Sequence, residues 1–126
     1  MKATKKLGIW MDHSIAYLME FTSNKFVINT IESKFILNEN GQNLIWPENF
    51  IRTIDQQLLI TYYNKISEII KDYKLVILFG PNNAKIELFD VLSEDERFVK
   101  IKVEFKNTEK MNENQKYDFV KLYKST

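Results

Sequence analysis

Asp12, beside the single histidine His13, is the residue best placed to begin a catalytic centre in this chain. A carboxylate that closes an apolar run can hold a divalent cation, and paired cations can activate water and steady a leaving oxygen. Such a site needs several carboxylates brought together. Glu20, Glu87 and Asp90 are available, but nothing in their spacing makes them converge. Asp-His-Ser is also good turn chemistry by itself, because Asp and Ser side chains bond to nearby backbone. A lone His at a turn is read as solvated. No metal is therefore assigned, and Asp12, Glu20 and Asp90 stand as the alternative, a metal-dependent phosphodiesterase site. One His and no Cys exclude His clusters, thiol nucleophiles, disulfides and Cys-based zinc sites.

The second candidate is the stretch LVILFGPNNAK, Leu75 to Lys85. An apolar run ends at Gly80-Pro81-Asn82-Asn83, and a helical rhythm begins at once. Ligands bind where a buried strand feeds a helix N-terminus, since free N–H groups and the helix dipole attract anions there. Lys85 in the first turn could add a positive charge. The structural reading is equally direct: Gly for a sharp turn, Pro to stiffen it, Asn to cap the helix. The phosphate-loop motif is missing.

Gly41-Gln42 and Trp46 form the third candidate. They lie in NENGQNLIWP, Asn38 to Pro47, which is rich in turn residues and is the best candidate for a mobile loop. A Gln amide there could position water or a 2′-hydroxyl, and Trp46 could stack on a base. The same residues also make an ordinary surface turn. Lys100, Lys102, Lys106 and Lys110 could meet RNA phosphates. Glu104, Glu109 and Glu113 interrupt them, which favours a solvated edge that resists aggregation.

The elements that would position these groups follow from periodicity. Leu7–Met11 and Ile15–Phe21 read as a hairpin around the Asp12 turn, and KFVINTIESKF supplies a third strand. The segment NLIWPENFIRTID has no firm period; it is either irregular or a short helix starting near Pro47. From Asp55, a plausible N-cap, to Tyr73, apolar residues recur at three and four, which is a helix of about five turns. Leu75–Phe79 is apolar throughout, as in a strand buried on both faces. NAKIELFDVL returns to helical spacing. RFVKIKVEF alternates, with Phe98, Lys100, Lys102 and Glu104 on one side and Val99, Ile101, Val103 and Phe105 on the other. Asn112 and Gln115 offer a capping pair for a terminal helix carrying Tyr117, Phe119, Val120 and Tyr123. Trp10 and the Tyr62-Tyr63 pair are assigned to the core.

The order is β-β-β-α-β-α-β-α, an α/β fold with a five-stranded mixed sheet. A length of 126 residues suits one domain, 1–126. Hydrophobic residues at 44% and charged residues at 28% are ordinary for a globular protein. A net charge of +1 gives no global pull toward nucleic acid or membrane. No secretory or membrane-spanning segment is expected, which points to a cytoplasmic protein.

This order is the ribonuclease-H-like arrangement, and the chain resembles the middle domain of archaeal and eukaryotic class-1 peptide-chain release factors and of Pelota. LGIWMDHSIAYLMEF looks like that domain's opening hairpin, with an acidic residue closing the first strand. LVILFGPNNAKIELFDVL resembles its strand, Gly-Pro turn, Lys and Phe-containing helix, and RFVKIKVEF sits where a strand follows. The likeness spans nearly the whole chain, with the Gly-Pro stretch its distinctive part, and is similar to that of small stand-alone bacterial relatives. In such release factors a Gly-Gly-Gln loop before the long helix promotes peptidyl-tRNA hydrolysis. Here ENGQN keeps Gly41 and Gln42, while Asn40 replaces the first Gly. Pelota lacks the tripeptide and rescues ribosomes without hydrolysis. A release factor also needs codon-reading and partner-binding domains, for which 126 residues leave no room.

The resemblance thus implies a non-enzymatic, cofactor-free module that contacts ribosome, tRNA or a ribosome-associated protein. The binding residues it suggests are Gly41, Gln42, Trp46, Gly80, Pro81, Asn82 and Lys85. The alternatives are the phosphodiesterase or nuclease above, of ribonuclease-H-like type, and a self-associating adaptor that uses an open sheet edge or an exposed aromatic surface.

Overall fold

A computed structural model of the protein describes residues 6–22, 25–33 and 48–123. Their order is β1 (Lys6–Met11), β2 (Ile15–Thr22), β3 (Lys25–Glu32), α1 (Glu48–Ile70), β4 (Leu75–Gly80), α2 (Ala84–Ser93), β5 (Lys102–Asn107) and α3 (Glu113–Leu122). A short 3₁₀ turn, Glu96–Phe98, precedes β5. The strands form one open mixed sheet in the order β3-β2-β1-β4-β5. β1, β2 and β3 are antiparallel neighbours, and β1, β4 and β5 run parallel. The five-stranded α/β architecture expected from the sequence is present.

Alternation along the central strands sorts the core into two layers. Leu7, Ile9 and Met11 of β1 join Val76 and Leu78 of β4 beneath Tyr62, Tyr63, Ile66 and Ile70 of α1 and Ala84, Leu88 and Leu92 of α2. Trp10, Ile77 and Phe79 face the other way, where Val120 of α3 covers them. Both faces of β1 and β4 are therefore buried, which is why β4 reads as an unbroken apolar run. α3 lies so close to the sheet that a Cβ on Gly8 would come within 2.3 Å of Val120 Cγ2. Lys6 secures its far end, donating from Nζ to the carbonyl of Val120 at 2.7 Å, where helix carbonyls lack partners of their own.

Two sequence expectations are corrected. α1 begins at Glu48, directly after Pro47, so Asp55 lies within the helix rather than at its N-cap. The start near Pro47 and the helix from Asp55 are parts of a single element. β5 begins at Lys102, four residues late. Asp95 Oδ1 accepts the N–H of Arg97 at 2.9 Å and holds the chain in the 3₁₀ turn. Phe98 is tucked into the core by that turn while Val99 is 80% exposed, the reverse of a continuous strand. Tertiary burial of Phe98 outweighs the local alternation.

Candidate functional site

Because β1 and β4 are parallel, their carboxyl ends open at the same edge of the sheet, together with the N-terminus of α2. β1 ends in a closed turn. Asp12 Oδ1 accepts the N–H groups of Ser14 and Ile15 at 2.7 and 2.9 Å, and Asp12 N–H donates to Ile15 C=O at 3.0 Å. β4 ends at Gly80, whose φ is +143°. A Cβ there would come within 2.3 Å of the Met11 carbonyl oxygen, so backbone conformation and space both demand glycine. Gly80 C=O accepts the N–H of Thr108, tying this corner to the chain leaving β5.

The start of α2 is satisfied from within. Asn82 Oδ1 accepts the N–H of Ala84 at 3.1 Å, and Asn83 C=O accepts those of Ile86 and Glu87, each at 3.0 Å. Asn83 is the N-cap residue yet its side chain makes no capping bond. Lys85 is fully buried, and its ammonium turns back to donate to the Asn82 carbonyl. Burial lowers its pKa. Instead of offering charge to a ligand beyond the corner, Lys85 braces the corner from inside. Glu87 already places a carboxylate beside the helix N-terminus, where the dipole favours it.

α1 closes this edge with two adjacent phenols. Tyr62 Oη donates to the Asp12 carbonyl at 2.7 Å, and Tyr63 Oη donates to Glu87 Oε1 at 2.6 Å. His13 Nε2 meets the same Glu87 oxygen at 3.1 Å. One carboxylate thus joins the β1–β2 turn, α1 and α2. Burial raises the pKa of both tyrosines, with the Asp12 charge adding to the effect at Tyr62 and the Glu87 hydrogen bond at Tyr63. His13, read from sequence as merely solvated, is a member of this set, and no local spacing signals it.

On the opposite face, Lys116 of α3 is buried with its Nζ 4.2 Å from the Trp10 ring centroid and 3.9 Å from that of Tyr17. An ammonium over aromatic faces is attracted by the ring quadrupoles. Burial lowers its pKa. Lys116 escaped the sequence reading, although it precedes buried Val120 by four residues and so shares its helix face. Among the described residues, the Trp10 indole N–H and the Thr108 hydroxyl are buried and find no hydrogen-bond partner.

The remaining candidates fall elsewhere. Glu20 pairs in register with Leu7, at the opposite end of β1 from Asp12. Leu7 and Asp12 are five residue steps apart along the extended chain, about 16 Å. Glu20 accepts instead from Tyr73 Oη, and Asp90 is exposed on α2. The structure does not bring these three carboxylates together, and among the described residues no cluster of three or more His, Asp or Glu side chains could hold a metal ion. Lys102 and Lys106 lie on the edge strand β5, where Lys102 Nζ is 3.2 Å from Glu104. Lys100 precedes the strand and Lys110 follows it. Gly41, Gln42 and Trp46 lie outside the described residues. No described helix is long and apolar enough to cross a membrane.

Solved structures of other proteins share this arrangement. Pelota from Thermoplasma acidophilum superimposes with a TM-score of 0.59 over 94% of this chain at 17% identity. Pelota from Archaeoglobus fulgidus gives 0.60 over 95% at 10% identity, and an archaeal translation termination factor gives 0.57 over 94% at 14% identity. The chain folds like one part of Pelota. It spans about a third of the length of each of these proteins, covering 32%, 31% and 35% of them. The likeness to Pelota and release factors that the sequence suggested is borne out at the level of fold. No family model and no curated protein sequence matches the chain.

Proposed function

We propose that this chain is a non-enzymatic binding module of the translation apparatus, contacting the ribosome, tRNA or a ribosome-associated protein in the cytoplasm. The observation that carries the reading is the fold: nearly the whole chain superimposes on Pelota and on a translation termination factor. The geometry around the parallel strands supports a binding role over catalysis, because its carboxylates are held by turn amides and phenols. Gly41, Gln42 and Trp46 are the contact residues of this proposal. Gly80, Pro81 and Asn82, at the corner where β4 meets α2, are the second set of contact residues, with Lys85 bracing that corner from inside.

Sedimentation of the chain with ribosomes across a salt series tests the proposal. Binding at low salt that falls as salt rises is expected, since contacts to phosphates release counterions. Gln42→Ala and Trp46→Ala should each reduce the bound fraction. Absence of a ribosome-bound fraction at low salt would remove the reading.

A further inference from the structure

β5 is the last strand of the sheet on its side, and among the described residues no strand pairs with its outer edge. The direction of its backbone groups follows from two bonds. Lys102 N–H donates to Lys74 C=O and Thr108 N–H to Gly80 C=O, so even-numbered residues point toward β4. Alternation then turns the N–H and C=O of Val103, Phe105 and Asn107 outward. The side chains sort as well. Val103 and Phe105 face the α2 side, where the Phe105 ring lies 5.5 Å from that of Phe89 and remains 42% exposed. Glu104 faces α3 and accepts from Tyr123 Oη, which sets Lys102 and Lys106 on that same face.

We propose that this edge pairs with the same edge of a second copy, antiparallel, about a two-fold axis at Phe105. In that register Phe105 meets Phe105 of the other copy, Val103 meets Asn107, and Glu104 meets Lys106 twice. Every outward backbone group of Val103, Phe105 and Asn107 finds a partner. Charge and strand length together select this register: an axis at Val103 would also set Lys102 against Glu104, but it would place Phe105, Lys106 and Asn107 against residues 99–101, which precede the strand, with Lys106 facing Lys100. Moving the axis to Glu104 sets Glu104 against Glu104 and Lys102 against Lys106; moving it to Lys106 sets Lys106 against Lys106 and Lys102 against Lys110. Opposite charges directly across a strand pair stabilise it and like charges oppose it. A carboxylate has acceptor capacity for Lys106 of the other copy beside its own Tyr123 and Lys102. The result is a closed, isologous dimer with a continuous sheet. Alternating charge on an edge ordinarily discourages pairing; here the shift that centres the axis on Phe105 sets Glu104 of each copy against Lys106 of the other.

Solution mass over a concentration series, joined to cysteine cross-linking, tests this. The chain contains no cysteine, so a single introduced thiol reports its own neighbour. Phe105→Cys should cross-link to a disulfide dimer under mild oxidation, because hydrogen-bonded antiparallel pairs hold their Cα atoms about 5.5 Å apart, within disulfide range. Val103→Cys should stay uncross-linked. Lys106→Glu should weaken dimerisation about tenfold, as both cross-pairs become repulsive. Lys110→Glu carries the same charge change off the strand and should not. Circular dichroism matching the parent chain shows that each variant is folded. A monomeric mass throughout, or a disulfide dimer formed by Val103→Cys and not by Phe105→Cys, would overturn the proposal.

Discussion

The chain turns twice from a parallel strand into a helix at the same edge of the sheet, and the two corners are built differently. After β4 it takes three residues, Pro81 to Asn83, to reach α2; after β5 it takes five, Thr108 to Asn112, to reach α3. The first corner is held by shape. Gly80 sits at φ +143° against the Met11 carbonyl, Lys85 is folded inside, and the N-cap Asn83 has no side-chain bond. The second is held by local chemistry. Asn112 Oδ1 accepts the N–H of Gln115 at 2.8 Å, and Gln115 Oε1 accepts that of Asn112 at 3.0 Å, a reciprocal capping box. A tight corner in the core depends on what its neighbours leave room for, whereas a longer, exposed one depends on its own side chains.

Substitutions should separate these two designs. Gly80→Ala should have the largest effect, a loss of about 3 kcal/mol, from forced backbone strain and collision with Met11. Urea unfolding with an unchanged slope measures it; a midpoint equal to that of the parent would mean that this corner has slack to yield.

Tyr62→Phe should come next, at about 1.5 kcal/mol, because the Asp12 carbonyl loses its donor. The same residue shapes the alkaline limb. Its hydroxyl keeps its proton in the fold well above the ordinary value of 10.0 at which the unfolded chain releases it. The stabilisation is therefore full below pH 10.0 and is lost as pH rises beyond it. Tyr63 acts in the same sense, while Lys85, with its lowered pKa, raises stability as pH climbs toward 10.5. Stability measured against pH should thus fall less steeply above pH 10.0 in Tyr62→Phe than in the parent; equal slopes would refute the role given to this phenol.

The smallest effects come from the caps, and their ranking is the sharpest check. Asn112→Ala should cost about 1 kcal/mol, while Asn83→Ala should cost about 0.3 kcal/mol or less, since only the former side chain holds a helix N–H. Thermal melting of the two variants side by side decides it. A larger loss at Asn83 would reverse the contrast between the corners.

Legibility in the sequence follows the same division. The capping box of α3 was readable because Asn and Gln three residues apart satisfy each other wherever a helix begins. β4 was readable because burial on both faces leaves an unbroken apolar run. The start of α1 was not, since the first turns from Glu48 lack a firm period and Asp55 imitates a cap. Nor was the start of β5, where alternation continues through Phe98 although Asp95 has already turned the chain. Of the candidate site, the corner residues were legible as types but their engagement was not. Lys85 read as an available charge, and burial made it a brace. The link from His13 through Glu87 to Tyr63 crosses 74 and 24 residues of sequence, beyond the reach of any local pattern.

The sequence alone determined the element order, the doubly buried β4, the glycine at the corner and the cap of α3, because periodicity, backbone permissiveness and short-range hydrogen bonding act within a few residues. Only the tertiary structure decided which charged groups face solvent, which carboxylates stand apart at opposite ends of β1, and which way the backbone of β5 points. Those outcomes depend on strand order and register, which bring distant residues within hydrogen-bond reach and set the direction of every N–H along an open edge.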